Sequence, residues 1–370
     1  MHETPLHALL QLDQSVWYDN IHRDMLRQGE LARMVREEGV TGVTSNPTIF
    51  EKAIGAGQAY DEGLAEAVRT EPDAGPERWF ERLAVADIQA AADVLRPVYD
   101  RTEGRDGMIS LEVSPELADD SDGTIAAARR LWGEIDRPNA MIKVPATEAG
   151  LTAIETLIAD GINVNVTLLF ARERYRRVAE AYIRGLERRA EAGQAVTGIA
   201  SVASFFVSRV DTAVEQALGA AIGALAGEVA IANARLAYQD FLEIFDGSRF
   251  QALRAQGAQP QRLLWASTGT KNPAYSDVLY VEALIGARTV TTLPPATFEA
   301  YRDHGEPQPR LESGIDQAEQ TLQTAQAAGI DLDAITARLE QEGVQAFTDS
   351  YRTLLQTIEA KTKRLDAAQP

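Results

Sequence analysis

Eight times along the chain a short apolar run is followed by a longer stretch with helical periodicity. The runs are SVWYD (15–19), GVTSN (42–46), MISLEV (108–113), AMIKVP (140–145), NVNVTLLF (163–170), GIASVASFF (198–206), RLLWAST (262–268) and TVTTLP (289–294). Short runs rich in β-branched and aromatic residues read as strands buried on both faces, and parallel neighbours need a crossover between them. TEAGLTAIETLIADG shows the helical half of one unit: Leu151, Ile154, Leu157 and Ile158 recur at helical spacing, and Gly161 supplies the stop. Eight such units predict a closed parallel α/β barrel of the (β/α)8, TIM type rather than an open sheet.

Two insertions add helices to this plan. One lies between the second and third runs (47–107) and includes ERWFERLAVADIQAAADVL; the other, GEVAIANARLAYQDFLEIF, precedes the seventh. After EPQPR (306–310) the composition shifts to Gln, Ala and Glu. We read residues 1–305 as a catalytic barrel and 306–370 as a C-terminal helical extension packed on it. A chain of 370 residues fits one elaborated barrel of this kind.

Composition excludes several functions. Lys+Arg 36 against Asp+Glu 55 gives a net charge of −19, a field that repels nucleic acid and anionic membrane surfaces. A small anion remains possible where cations cluster. The absence of cysteine removes disulfides, thiol nucleophiles and cysteine metal sites. His2, His7, His22 and His304 show no metal-ligand spacing, so no metal is expected. There is no P-loop, and GAGQAY (55–60) lacks the third glycine and the preceding strand of a dinucleotide turn. MHETPLHALLQ lacks the basic start and apolar run of a signal peptide, and the low-polarity stretch ALGAAIGALAG (217–227) is too short to span a bilayer. The expectation is a soluble, cytoplasmic protein, monomeric or homodimeric.

In such barrels the chemistry sits at the C-terminal ends of the strands. Those ends carry Asp19, Asn46, Glu112, Lys143, Thr167, Ser204 and Ser267. Lys143 is the sharpest, because it lies inside AMIKVP. Burial penalises an ammonium whose ordinary pKa is about 10.4, and a neutral amine can attack a ketone to form an imine. The plainer alternative is an ion pair with Glu112 on the neighbouring strand. Glu112 can also shuttle protons during imine formation. Asp19 can take a hydroxyl proton, or else serve as the N-cap ahead of a helix over HRDML. Asn46 and Asn165 offer amides to sugar hydroxyls, with a plain turn as the alternative for Asn46. Thr167 can hold a water, or simply build the strand. Ser204 and Arg209 lie where a strand end meets a helix start, a place that cradles anions, unless Arg209 pairs with Asp211 or Glu215. Ser267 and Lys271 follow strand seven, where barrels often bind phosphate.

Seven stretches, in order, resemble the transaldolase family, in its longer bacterial branch: SVWYDNIHR, GVTSNPTIF, SLEVSPELADD, AMIKVPATEAG, GINVNVTLLF, SVASFFVSRVD and WASTGTKNPAYSDVLYVEALIG. The resemblance covers roughly residues 10–300. It implies a barrel and a cofactor-free class I aldol mechanism on sugar phosphates, with dihydroxyacetone moved from sedoheptulose 7-phosphate to glyceraldehyde 3-phosphate. It makes Lys143 the imine-forming lysine, Glu112 an acid acting through a water held with Thr167, and Asp19 the acid/base at the substrate hydroxyl. Asn46 and Asn165 match the residues that hold the three-carbon unit, and Ser204 and Arg209 the phosphate site. Phe206 stands where fructose-6-phosphate aldolases are expected to carry tyrosine, which favours transfer over cleavage. One departure is visible. Shorter members place an arginine after strand seven; here the loop reads STGTKNP, and Lys271 supplies the cation. Rival readings are an aldolase that releases dihydroxyacetone, a barrel binding pyridoxal phosphate through Lys143, and a non-catalytic sugar-phosphate binder.

Overall fold

In the computed structural model, which describes residues 4–367, all eight runs are strands and every strand residue is buried. The first three residues of the expected barrel segment, His2 among them, and the last three of the expected extension lie outside that range. The strands are β1 (Gln14–Tyr18), β2 (Gly42–Val43), β3 (Met108–Glu112), β4 (Ala140–Pro145), β5 (Val164–Leu169), β6 (Ser201–Phe206), β7 (Arg262–Ala266) and β8 (Thr289–Leu293). They pair in parallel in sequence order, and β1 closes on β8 from Gln14↔Thr289 to Tyr18↔Leu293. The chain is therefore a closed eight-stranded parallel barrel ringed by helices. Among the described residues no helix is long and apolar enough to cross a membrane.

The helices follow local rules. In the helix Glu148–Asp160 the Thr147 side chain accepts from the Gly150 amide at 3.0 Å, and Gly161 ends it at φ +88°. The stretch HRDMLRQGELARMVREEG forms two helices, Arg23–Arg27 and Glu30–Glu37, because Gly29 sits between them at φ +74°. YSDVLYVEALIG forms only the short helix Leu279–Ala283. The residues before it are held elsewhere: Tyr275 Oη and Asn272 Nδ2 both donate to Glu215.

Two strand boundaries shape the mouth. GVTSN yields only Gly42 and Val43 in the ladder. The Trp17 indole lies against Gly42, where a Cβ would stand 2.5 Å from the ring. Beyond Val43 the chain leaves the sheet and is tied down by its own side chains. Thr44 Oγ1 donates to Asp19 Oδ1 at 2.7 Å and Ser45 Oγ to the Ser110 carbonyl at 2.7 Å. Asn46, extended as a residue before proline tends to be, caps the helix Pro47–Gly55. In β5 the register slips between Val166 and Leu169, and Leu168 takes φ +60°, left-handed and uncommon for a branched residue. Such bulges end pairing and re-aim side chains at barrel rims.

After the helix Pro295–His304 the chain forms two more helices, Ile315–Ala327 and Leu332–Ala367. The second has 36 residues, about 54 Å. It packs on the helices Pro47–Gly55, Asp61–Thr70, Pro76–Arg101 and Ser208–Leu218, and on β5. It thereby lies on elements that border the strand ends.

Candidate active site

Lys143 is 5% exposed, in the middle of β4. Its Nζ lies 3.2 Å from Glu112 Oε2, which the register places directly across on β3. This contact is an ion pair. Nζ does donate to the Ser45 carbonyl, at 3.1 Å. Burial pushes the Glu112 carboxyl above its usual range; the Lys143 charge opposes that shift and Asp19 adds to it. Lys143 is therefore ion-paired with Glu112, and it is buried inside the barrel mouth.

Residues two apart on a strand share a face. Ser110 sits two before Glu112, and Asn165 two before Thr167. Inside the barrel Asn165 Nδ2 donates to Ser110 Oγ at 2.9 Å, and Ser204 Oγ donates to Asn165 Oδ1 at 2.7 Å. Thr167 is fully buried and its Oγ1 has no partner among the described residues. A buried hydroxyl left unpaired calls for a further partner, a water or a ligand.

Above this layer opens a cavity of about 690 Å³ at the C-terminal ends of the strands. Asp19, Asn46, Lys143, Thr167, Ser204, Phe206, Arg209, Ser267 and Lys271 all line it. Glu112 and Asn165 do not; they touch it through Lys143 and Ser204. Asp19 is no helix cap: His22 Nδ1 caps the helix Arg23–Arg27, at 3.1 Å from the Met25 amide. Asn46 serves twice, since Oδ1 accepts from the Ile49 amide at 2.9 Å while the residue faces the cavity. Its Nδ2 is the atom left for a ligand.

One side of the cavity carries the cations Arg209, Lys271 and Lys52. Asp211 and Glu215, the carboxylates nearest Arg209 in sequence, are engaged elsewhere. Asp211 accepts from the Ala230 amide at 2.8 Å and from Tyr280 Oη at 2.9 Å; Glu215 accepts from Tyr275 and Asn272. Burial pulls the Arg209 guanidinium below its ordinary value, with no carboxylate among the described residues to offset it. Its Cζ lies 5.3 Å from the Phe206 ring centroid. Ser267, left-handed at φ +56°, accepts the Ser208 amide on its carbonyl and pairs hydroxyls with Ser208 at 2.9 Å. Lys271 and Lys52 stand exposed at the rim.

Asp211 ties the helix bearing Arg209 to its neighbours, and burial pushes its carboxyl up to about 7 from 3.8. A carboxyl whose pKa rises on folding supports the fold while protonated. That support is whole below about pH 4 and is lost as pH climbs through about 7. Asp211→Asn keeps one acceptor and the shape. Relative to the variant, the wild type is expected to lose up to about 4 kcal/mol between pH 4 and 8. Urea unfolding of both proteins across that range reads it, and parallel curves would refute it.

Three contributors escaped sequence reasoning. Ser45 acts through a backbone oxygen, which has no signature. Thr44 orients Asp19 from the segment just beyond β2. Phe347 comes from the terminal helix: its ring is 5% exposed, lines the cavity, and has its centroid 5.6 Å from Lys143 Nζ.

The Transaldolase/Fructose-6-phosphate aldolase family matches residues 16–358. Among curated proteins, a transaldolase of Thiobacillus denitrificans is 51% identical over 94% of this chain and 98% of its own length. A transaldolase of Neisseria meningitidis is 47% identical over 95% and 99%, and transaldolase 2 of a Nostoc species 46% over 95% and 96%.

Proposed function

The chain belongs to the transaldolase/fructose-6-phosphate aldolase family and has transaldolase function, and we propose that it moves a dihydroxyacetone unit from sedoheptulose 7-phosphate to glyceraldehyde 3-phosphate. Erythrose 4-phosphate and fructose 6-phosphate are the products. The observation that carries this reading is a buried amine, 3.2 Å from a carboxylate, at the floor of a sugar-sized cavity with an unpaired guanidinium on its wall.

A proton passing from Lys143 to Glu112 leaves the amine neutral, and the amine adds to the ketone carbon of the donor. Glu112 returns the proton to the departing hydroxyl through a water held at Thr167 Oγ1, giving a protonated imine. The unpaired Thr167 hydroxyl supports that role. Asp19, oriented by Thr44, takes the C4 hydroxyl proton as the C3–C4 bond breaks and its electrons flow to the imine. The aldose phosphate leaves. Asn46 and Asn165 hold the three-carbon fragment, Asn165 through whatever valence its two serine partners leave. Arg209, Ser204, Ser267 and Lys271 take the phosphate. The acceptor aldehyde enters, the bond reforms, and hydrolysis frees Lys143.

Aldolase-type release of dihydroxyacetone is the second reading. Phe206 weighs against it, because its ring lines the cavity with no hydroxyl to hold a water beside the carbanion. We assign residues 1–305 to the catalytic barrel and 306–370 to its helical extension, and we place the enzyme in the cytoplasm as a monomer or homodimer. Borohydride reduction with fructose 6-phosphate, followed by mass spectrometry, is expected to mark Lys143 alone. Product release is expected to require the acceptor. A wild-type chain that traps no adduct would overturn the assignment.

A further inference from the structure

We infer that Phe347, on the terminal helix, is the side chain that keeps water from the covalent intermediate and so commits the enzyme to transfer rather than release; this rests on the transaldolase reading above. The ring covers Lys143 Nζ on one side, while Glu112 and the Ser45 carbonyl take the others. Those two contacts are polar, and the ring is an apolar cover beside them.

The helix holds Phe347 there by several contacts along one face. Gly343, one turn earlier, lets the helix approach the bulge of β5: a Cβ there would stand 2.8 Å from Leu168 Cδ2. One turn later Tyr351 Oη donates to Glu77 at 2.9 Å, and its ring meets Phe80 edge-on. Ser350 pairs with Thr48 at 2.8 Å, on the helix that Asn46 caps. Further on, the buried Lys361 Nζ reaches Asp61 at 2.8 Å and the Gly57 carbonyl at 2.7 Å. Positions 343, 347, 351, 354, 358 and 361 recur at helical spacing, and those with side chains are buried.

The chemistry makes the cover matter. After the C3–C4 bond breaks, the fragment is a carbanion conjugated with the Lys143 nitrogen. Water beside it can do two things. It can supply a proton to the carbon, and its oxygen can then add to the resulting imine. The hydroxyl so formed passes its proton to the nitrogen as the C–N bond breaks, the oxygen becomes the ketone of dihydroxyacetone, and Lys143 regains a neutral amine. One water is consumed and no oxidant is needed. A ring over the nitrogen denies water that position.

The test is the ratio of free dihydroxyacetone released to sugar transferred, with fructose 6-phosphate as donor and erythrose 4-phosphate as acceptor. The ratio is internal to working molecules and does not depend on the fraction folded. Phe347→Ala is expected to raise it about fivefold or more, and Phe347→Leu to hold it near wild type. Should the alanine variant not fold, Phe347→Val is expected to lie between. An unchanged ratio in alanine or valine variants that still trap the borohydride adduct would overturn the proposal. Failure of the wild type to trap an adduct would instead sink the transaldolase reading, and this inference with it.

Discussion

Lys143→Met is expected to abolish transfer and all borohydride labelling by fructose 6-phosphate. Methionine has nearly the length and apolar bulk of the lysine stem, so the barrel interior stays filled and the loss is chemical. Without the amine no imine forms, and no electron sink exists for the C3–C4 bond. The fold is expected to survive with a changed pH dependence. Glu112 is then buried without its cation, and burial already pushes its carboxyl up. A buried charge stripped of its partner costs about 3–5 kcal/mol. A neutral carboxyl avoids most of that, so the variant is expected to be stable near pH 5 and to weaken as pH rises. Circular dichroism melts at pH 5 and 8 separate this from general misfolding. Undiminished turnover would remove the basis of the mechanism.

Glu112→Gln is expected to lower kcat by about 10² to 10⁴, the range for a lost acid/base group. Glutamine keeps the shape but carries no transferable carboxyl proton. Glu112 does not line the cavity, so KM for sugar phosphates is expected to change little. That split is the diagnostic, because a residue that only placed Lys143 would move both. One limb of the pH profile of kcat is also expected to vanish. A variant within about threefold of wild type, with an unaltered profile, would leave Glu112 as a mere counter-ion.

Much of this was legible in the chain. Strand periods come from backbone pleating and burial, which are local, and so AMIKVP falls on β4 residue for residue. A charged residue inside an apolar run is likewise a local signal, which is why Lys143 and Glu112 are conspicuous in the chain alone. The alternatives attached to each residue were not legible. Whether Asp19 capped a helix depended on His22, which takes the cap. Whether Arg209 was paired depended on where Ala230 and Tyr280 draw Asp211, and where Tyr275 draws Glu215.

The sequence by itself determined eight parallel strand–helix units, their order, and the placement of ionisable groups at the strand ends, because hydrophobic period and chain direction act over a few residues. Only the tertiary structure decided which of those groups meet: the Ser45 carbonyl with Lys143, 98 positions on, and Phe347 with the same nitrogen, 204 positions on. Such meetings depend on barrel closure and on the docking of a distant helix, and neither leaves a periodic mark in the chain.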